Sequence, residues 1–299
     1  GDGLVGPQIW RCRQTGRTMK YLAARVAQKR DPPCNGEEPV LLYLAGLGDA
    51  GNHGNPNVIR KRYHHLLSLQ LKPFLFLVPL REQEHWWVIE GCDTSYGHLG
   101  NLMPDRVTLL ANLVKELAGK RPLIGIGFSA GAYCLTELLG HGRPSFSAIA
   151  LGGLHGHGQP DMDGIPKKRR SEDICEKFGN WLERLRKHSG VEGGIFAMHT
   201  EDDEWSPKRY AKQALCILGA RNAELGFDRV RFTICPDGKG HKYEDEAIWT
   251  ADIFKDLKLI KPKPRGSLAE QFKDQQNTKT PSIIHLSLIH ISEPTRRGI

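Results

Sequence analysis

Cysteine is sparse in this chain and follows no pattern. Seven of 299 residues, Cys12, Cys34, Cys92, Cys134, Cys175, Cys216 and Cys235, lie far apart, with no C-x-x-C pair. That excludes a disulfide framework as the organising device and leaves no zinc-binding pattern. Free thiols in a reducing compartment fit better, with one or two bridges left open. The expected location is therefore the cytoplasm. The chain opens on Gly1 and not on methionine, so it reads as a fragment at that end, and an upstream secretion signal stays open. Apolar runs long enough for an integral membrane segment are missing as well. Internal repeats are absent, which excludes a solenoid or propeller.

Acidic residues are in the minority, 34 against 42 Lys and Arg, for a net charge of +8. Arg296 and Arg297 against Glu293, near the end, supply one unit of that excess. The densest basic runs, Lys167 to Arg170 and Lys258 to Arg265, lack interleaved aromatics and match no nucleic-acid motif, so no nucleic-acid partner is expected. They read as solvated surface, the alternative being attraction to acidic substrates or anionic surfaces.

What is present is enough apolar material, 39% of the residues, for one large core. Apolar strand patterns near residues 40, 74, 123, 147, 195 and 230 alternate with helical patterns near 57, 104, 130, 174, 207 and 245. This predicts an α/β fold with a mainly parallel, doubly wound sheet covered on both faces. Gln8 to Arg25, with Thr15-Gly16 as a turn, predicts an N-terminal antiparallel hairpin. A single domain is expected over 1–260. Residues 261–299 are polar and proline-bearing up to Ser282 and read as a disordered tail. Within it, 286–296 resembles the translation of a sequencing adaptor and is set aside.

The most informative stretch is Gly127-Phe128-Ser129-Ala130-Gly131, directly after the apolar run Leu123 to Ile126 and directly before helix-like Ala132 to Leu139. A serine held on a sharp strand-to-helix turn needs small neighbours two residues to either side, so that strand and helix can approach closely. A serine hydroxyl is a poor nucleophile unaided, so the reading requires a histidine base and a carboxylate to orient it. Gly194 to Met198 is a buried-strand pattern running into the acidic loop His199 to Pro207, from which Asp203 is the expected acid and Asp202 the alternative. Val230 to Cys235 alternates as a last strand. The loop after it, Pro236 to His241, presents His241 as the expected base ahead of helix-like Glu244 to Leu257. An oxyanion hole needs backbone N–H donors after the serine and at an earlier strand exit. Val40 to Leu44 followed by Ala45-Gly46-Leu47-Gly48-Asp49-Ala50-Gly51 supplies that exit, so the expected donors are the amides of Leu47 and Ala130.

On these motifs the chain resembles α/β-hydrolase serine esterases of the esterase-D, acyl-protein-thioesterase and feruloyl-esterase kind, over roughly residues 8 to 257. Gly46 to Gly51 is similar to the carboxylesterase turn, and Gly127-Phe128-Ser129 to the nucleophile motif. Asp203 keeps the family's spacing of four residues from the preceding His199 and four to Pro207. Ala45 stands where the family usually has histidine, and Ala130 where it usually has glutamine or methionine. The resemblance implies a serine hydrolase with no cofactor and no metal, acting on a small ester, thioester or acyl substrate through an acyl-enzyme. A serine peptidase of the same fold and a catalytically silent binding protein are the alternatives.

Substrate contacts are expected from Gly46, Gly48, Trp86, Trp87 and His155. The two tryptophans could equally be core. His155 and His157 have a spacing that could hold a metal, but a place at the cleft rim fits better without a carboxylate partner. Between Gly158 and Glu192, Ile174, Phe178, Trp181, Leu182 and Leu185 repeat at helical spacing, giving either a cap over the site or an outer helix of the fold. Cys134 and Cys216 read as packing residues on apolar helix positions.

Overall fold

A computed structural model of the chain describes residues 7–29, 31–33, 36–46, 56–80, 87–90, 101–156, 172–203, 207–235, 240–241 and 248–261. Its centre is an eight-stranded sheet in the order β1-β2-β4-β3-β7-β8-β9-β10. The strands are β1 (Gln8–Arg11), β2 (Thr18–Val26), β3 (Val40–Leu44), β4 (Phe74–Pro79), β7 (Leu123–Phe128), β8 (Ala148–Gly152), β9 (Ile195–Thr200) and β10 (Val230–Cys235). The six from β4 to β10 are parallel, whereas β2 is antiparallel to both β1 and β4, so the expected N-terminal hairpin forms one end of the sheet. Two further short strands, β5 (Ile89–Glu90) and β6 (Asn101–Leu102), pair apart from it and were not anticipated from sequence. Two-residue strands carry too little periodicity to read.

The helices among the described residues are α1 (Pro56–Ser68), α2 (Pro104–Ala118), α3 (Ala130–His141), α4 (Glu172–Leu185), α5 (Lys208–Glu224) and α6 (Ala251–Asp256). Strand alternation sorts the core between the two sheet faces. Val40, Leu42 and Leu44 of β3 pack with α2, α3, α4 and α5. Leu41 and Tyr43 pack with α1 and α6 on the opposite face. α3 is apolar on nearly every side and buried from Ala130 through Leu139, as expected of a helix walled in by sheet and neighbouring helices. No described helix is long and apolar enough to cross a membrane.

α4 resolves the alternative left by its sequence. Phe178, Trp181, Leu182 and Leu185 are buried in the same core as α3 and α5, making it an outer helix of the fold. Buried Glu137 on α3 accepts from Arg184 Nε at 2.8 Å and Nη2 at 2.6 Å and from the Tyr133 hydroxyl at 2.6 Å. Trp181 Nε1 donates to Thr136 Oγ1 at 3.1 Å. A buried carboxylate needs this many donors, because desolvating it alone would cost several kcal/mol. Cys134 is buried as expected, and burial, then the nearby Glu137, pushes its thiol well up. Cys216 corrects the sequence reading: it is exposed, because the buried stripe of α5 runs through Tyr210, Ala211, Ala214, Leu215 and Leu218 and passes it by.

The turn after α4 is fastened to α5. Asn222 accepts from Val191 N–H at 2.7 Å and donates to Val191 O at 3.1 Å. Gly190 N–H donates to His188 Nδ1 at 3.0 Å, so that nitrogen is an acceptor and Nε2, 3.1 Å from Leu218 O, carries the proton. Burial, opposed by the Leu218 carbonyl, holds the His188 pKa below its ordinary value. The unfolded chain therefore binds more protons at this position than the folded one. The resulting stability is complete above about pH 6.5 and is lost as pH falls below it. Urea midpoints measured from pH 7.5 down to pH 5 should fall less steeply for His188→Gln than for the parent; equal slopes would remove the assignment.

Candidate active site

Gly46, Ser129, His155, Asp203 and His241 follow the carboxyl ends of β3, β7, β8, β9 and β10, and the exits of β3 and β7 flank the point where the winding reverses. From β3 the chain passes through α1 to β4 on one side, then through α2 back across β3 to β7 on the other. In open α/β sheets this reversal leaves a crevice at the strand ends.

Ser129 sits at the junction of β7 and α3 with φ 52° and ψ −119°, a conformation rarely adopted by a residue with a side chain. Its N–H donates to Gly152 O at 2.8 Å and its carbonyl accepts from Tyr133 N–H at 3.0 Å, so sheet and helix hold the turn from both ends. Serine at a helix start commonly caps it with its hydroxyl. Here the hydroxyl makes no cap bond.

Close approach explains the flanking glycines. A Cβ on Gly127 would lie 2.7 Å from Gly131 O, and one on Gly131 would lie 1.8 Å from Leu44 O and 2.8 Å from Ala45 O. The first turn of α3 therefore rests on the backbone of both β7 and the β3 exit. At that exit Gly46 also presses on the elbow, since a Cβ there would meet the Phe128 ring at 2.7 Å and Ser129 Cβ at 3.2 Å.

The structure brings Ser129, His241 and Asp203 together although they are 112 and 38 positions apart in sequence. His241 Nε2 lies 2.8 Å from Ser129 Oγ, and its Nδ1 lies 2.7 Å from Asp203 Oδ2. The Asp203 side chain is fully buried and the His241 ring is 18% exposed, with Phe128 packed against it at 5.1 Å between centroids. The neighbouring acids divide the work: Asp202 Oδ1 accepts from Gly240 N–H at 3.2 Å, holding the backbone that carries His241, while Asp203 faces the imidazole itself. Ala130 is the first residue of α3, so its N–H has no acceptor one turn back and lies at the positive end of the helix dipole.

Trp87 is buried, its indole N–H donating to Ala45 O at 2.9 Å. It braces the β3 exit from within the core, again at a positive φ of 57°. His155 is buried beside Ser129, with Nε2 at 3.3 Å from Oγ. Leu47, Gly48, Trp86 and His157 lie outside the described residues. Among the described residues no cluster of three or more His, Cys, Asp or Glu could hold a metal ion. Sequence reasoning missed the Trp87 brace and the His155 contact with Ser129, which no spacing rule signals. Glu137 was detectable as a lone acid in an apolar helix.

Known structures share this architecture. A thermostable esterase superposes with a TM-score of 0.51 at 17% identity, over 87% of this chain and 64% of that one. A lipase/esterase from Lactobacillus plantarum gives 0.51 at 12% identity, over 86% and 100%. The acylaminoacyl peptidase of Pyrococcus horikoshii gives 0.55 at 13% identity, over 90% and 44%. The chain has the α/β-hydrolase fold. It spans under two thirds of the length of the thermostable esterase and under half that of the peptidase. No protein-family model and no curated protein sequence matches it. Ser129 stands at the β7–α3 junction, Asp203 in the loop after β9, and His241 in the segment after β10.

The glycine contacts predict a sharp contrast. Gly131→Ala should destabilise the protein by about 3 kcal/mol or more, because backbone and not a yielding side chain opposes the new methyl. Gly179→Ala on α4, where a Cβ meets nothing within 4 Å, should stabilise it by about 0.5–1 kcal/mol. Denaturant melts of both variants check the pair, and similar midpoints would contradict the packing described.

Proposed function

We propose that this chain is a serine hydrolase that cleaves a carboxylic ester or thioester through an acyl-enzyme intermediate. The observation that carries the reading is the continuous path from Ser129 Oγ through the two nitrogens of His241 to the buried Asp203 carboxylate, with both links under 3 Å. His241 Nε2 accepts the hydroxyl proton as Oγ attacks the acyl carbon. His241 then returns the proton to the departing alcohol or thiol, and a water activated by the same nitrogen resolves the acyl-enzyme. Asp203 holds the imidazole with its proton on Nδ1 and stabilises the imidazolium that forms. The Ala130 amide, with the Leu47 amide as its partner, binds the oxyanion, and the α3 dipole adds to that field. Gly46, Gly48 and Trp86 contact the substrate, and Trp87, through its bond to Ala45 O, fixes the exit of β3. No cofactor enters this scheme.

The choice of ester or thioester rests on the similarity of Gly46 to Gly51 and of Gly127-Phe128-Ser129 to esterase motifs.

A fluorophosphonate probe should label the parent and fail to label Ser129→Ala; equal labelling of both would refute the assignment. Asp203→Asn should keep the fold and lower kcat on p-nitrophenyl esters by about 10⁴-fold, through loss of the correct imidazole tautomer. Short-chain p-nitrophenyl esters should turn over faster than peptide anilides, and the reverse preference would move the chain to the peptidases.

A further inference from the structure

Two imidazoles approach the nucleophile, and the scheme above employs one of them. His155, three residues beyond β8, is 4% exposed, and its Nε2 lies 3.3 Å from Ser129 Oγ, against 2.8 Å for His241 Nε2. The two rings are 6.2 Å apart between centroids. A serine hydroxyl carries one proton and two lone pairs. If His241 Nδ1–H is committed to Asp203, its bare Nε2 takes the Ser129 proton, and the hydroxyl has none left to give. The contact with His155 then runs the other way, from His155 Nε2–H to an Oγ lone pair.

We infer that His155 is a second catalytic imidazole, neutral and protonated at Nε2, whose N–H stabilises the negative charge that develops on Ser129 Oγ. The inference rests on the serine-hydrolase reading. At 3.3 Å the bond to a neutral hydroxyl is weak, since N–H···O bonds are commonest near 2.9–3.0 Å. Once Oγ carries charge, the same donor makes a charge-assisted bond of roughly twice the strength. A contact that strengthens on the way to the transition state raises kcat, whereas one equally strong in both states would not. Proton bookkeeping is unchanged: Oγ loses its proton to His241 and recovers it from there, and His155 keeps its own throughout. In deacylation Oγ departs with developing charge and meets the same N–H, so both half-reactions benefit.

The surroundings of His155 suit the role. Burial keeps water from competing for its N–H. Gly156, the next residue, is packed so tightly under α4 that a Cβ would meet Trp181 Cζ3 at 2.4 Å and Phe178 Cε2 at 2.8 Å. The backbone behind the imidazole therefore has little freedom to withdraw from Oγ.

The test uses the full chain with a chromogenic ester under pre-steady-state conditions. His155→Leu should slow both acylation and deacylation on the order of 10- to 100-fold with substrate affinity little changed, approaching what removing a single oxyanion donor costs. His155→Gln, whose amide N–H still reaches Oγ, should recover most of the loss. Acylation by the leucine variant at the parental rate would overturn the inference, as would a glutamine variant as slow as the leucine one. Histidine ¹⁵N spectra of the parent, with the His155 signals identified by their absence in His155→Gln, should show the Nε2–H tautomer. The Nδ1–H tautomer would overturn the inference however the variants fold. Turnover by Ser129→Ala would instead defeat the hydrolase reading itself. An inactive Ser129→Ala beside a normally acylating His155→Leu would remove only the role of His155.

Discussion

The first turn of α3 lies directly on the peptide backbone of β3 and β7, and the candidate site follows from that contact. Glycine at 127 and 131 permits it, since any side chain at either position would run into backbone atoms that cannot yield. Pressing helix and strand together leaves the connecting residue no room to follow an ordinary path, so Ser129 is turned out at the strand ends. The same contact puts the amide-bearing end of α3 next to the exit of β3. The proposed nucleophile Ser129 and the proposed anion-binding amide of Ala130 are therefore placed by one packing event.

Around this seat, bonds at successive distances hold each piece. Gly152 O anchors the Ser129 amide, Ala45 O is held by Trp87, and Asp202 steadies the backbone that carries His241. Further out, Glu137 binds α3 to α4 through Arg184. Such a buried pair is weak evidence for stability, but removing one partner would strand a charge in the core. The network thus fixes how α4 sits on α3, and through Gly156 it limits where His155 can move.

Features that depend on repetition or on a fixed local geometry were legible in the sequence. Continuous apolar runs such as Val40 to Leu44 and Leu123 to Ile126 pointed to strands buried on both faces, and the paired glycines around Ser129 to a tight strand-to-helix turn. Asp203 and His241 could be picked because each follows a recognisable strand. Contacts made across the fold by single side chains were not legible. The Trp87 indole and the His155 ring reach partners 42 and 26 positions away, and no spacing rule connects them. The exposure of Cys216 was misjudged because one helical turn of apolar neighbours does not reveal which side faces the sheet. The choice between lid and outer helix for α4 was equally closed to sequence, since an amphipathic face looks the same whether it covers a cleft or a core.

The backbone at residue 129 has an evolutionary consequence. A left-handed turn there costs on the order of 1–3 kcal/mol for a residue with a side chain, and glycine would avoid most of it. Drift without selection for chemistry should therefore erode this position early, because losing the hydroxyl would also relieve the main chain. Exchanging Ser129 for glycine would remove a hydroxyl that caps nothing and relax the main chain at once, so stability and the proposed reactivity pull in opposite directions at this one residue.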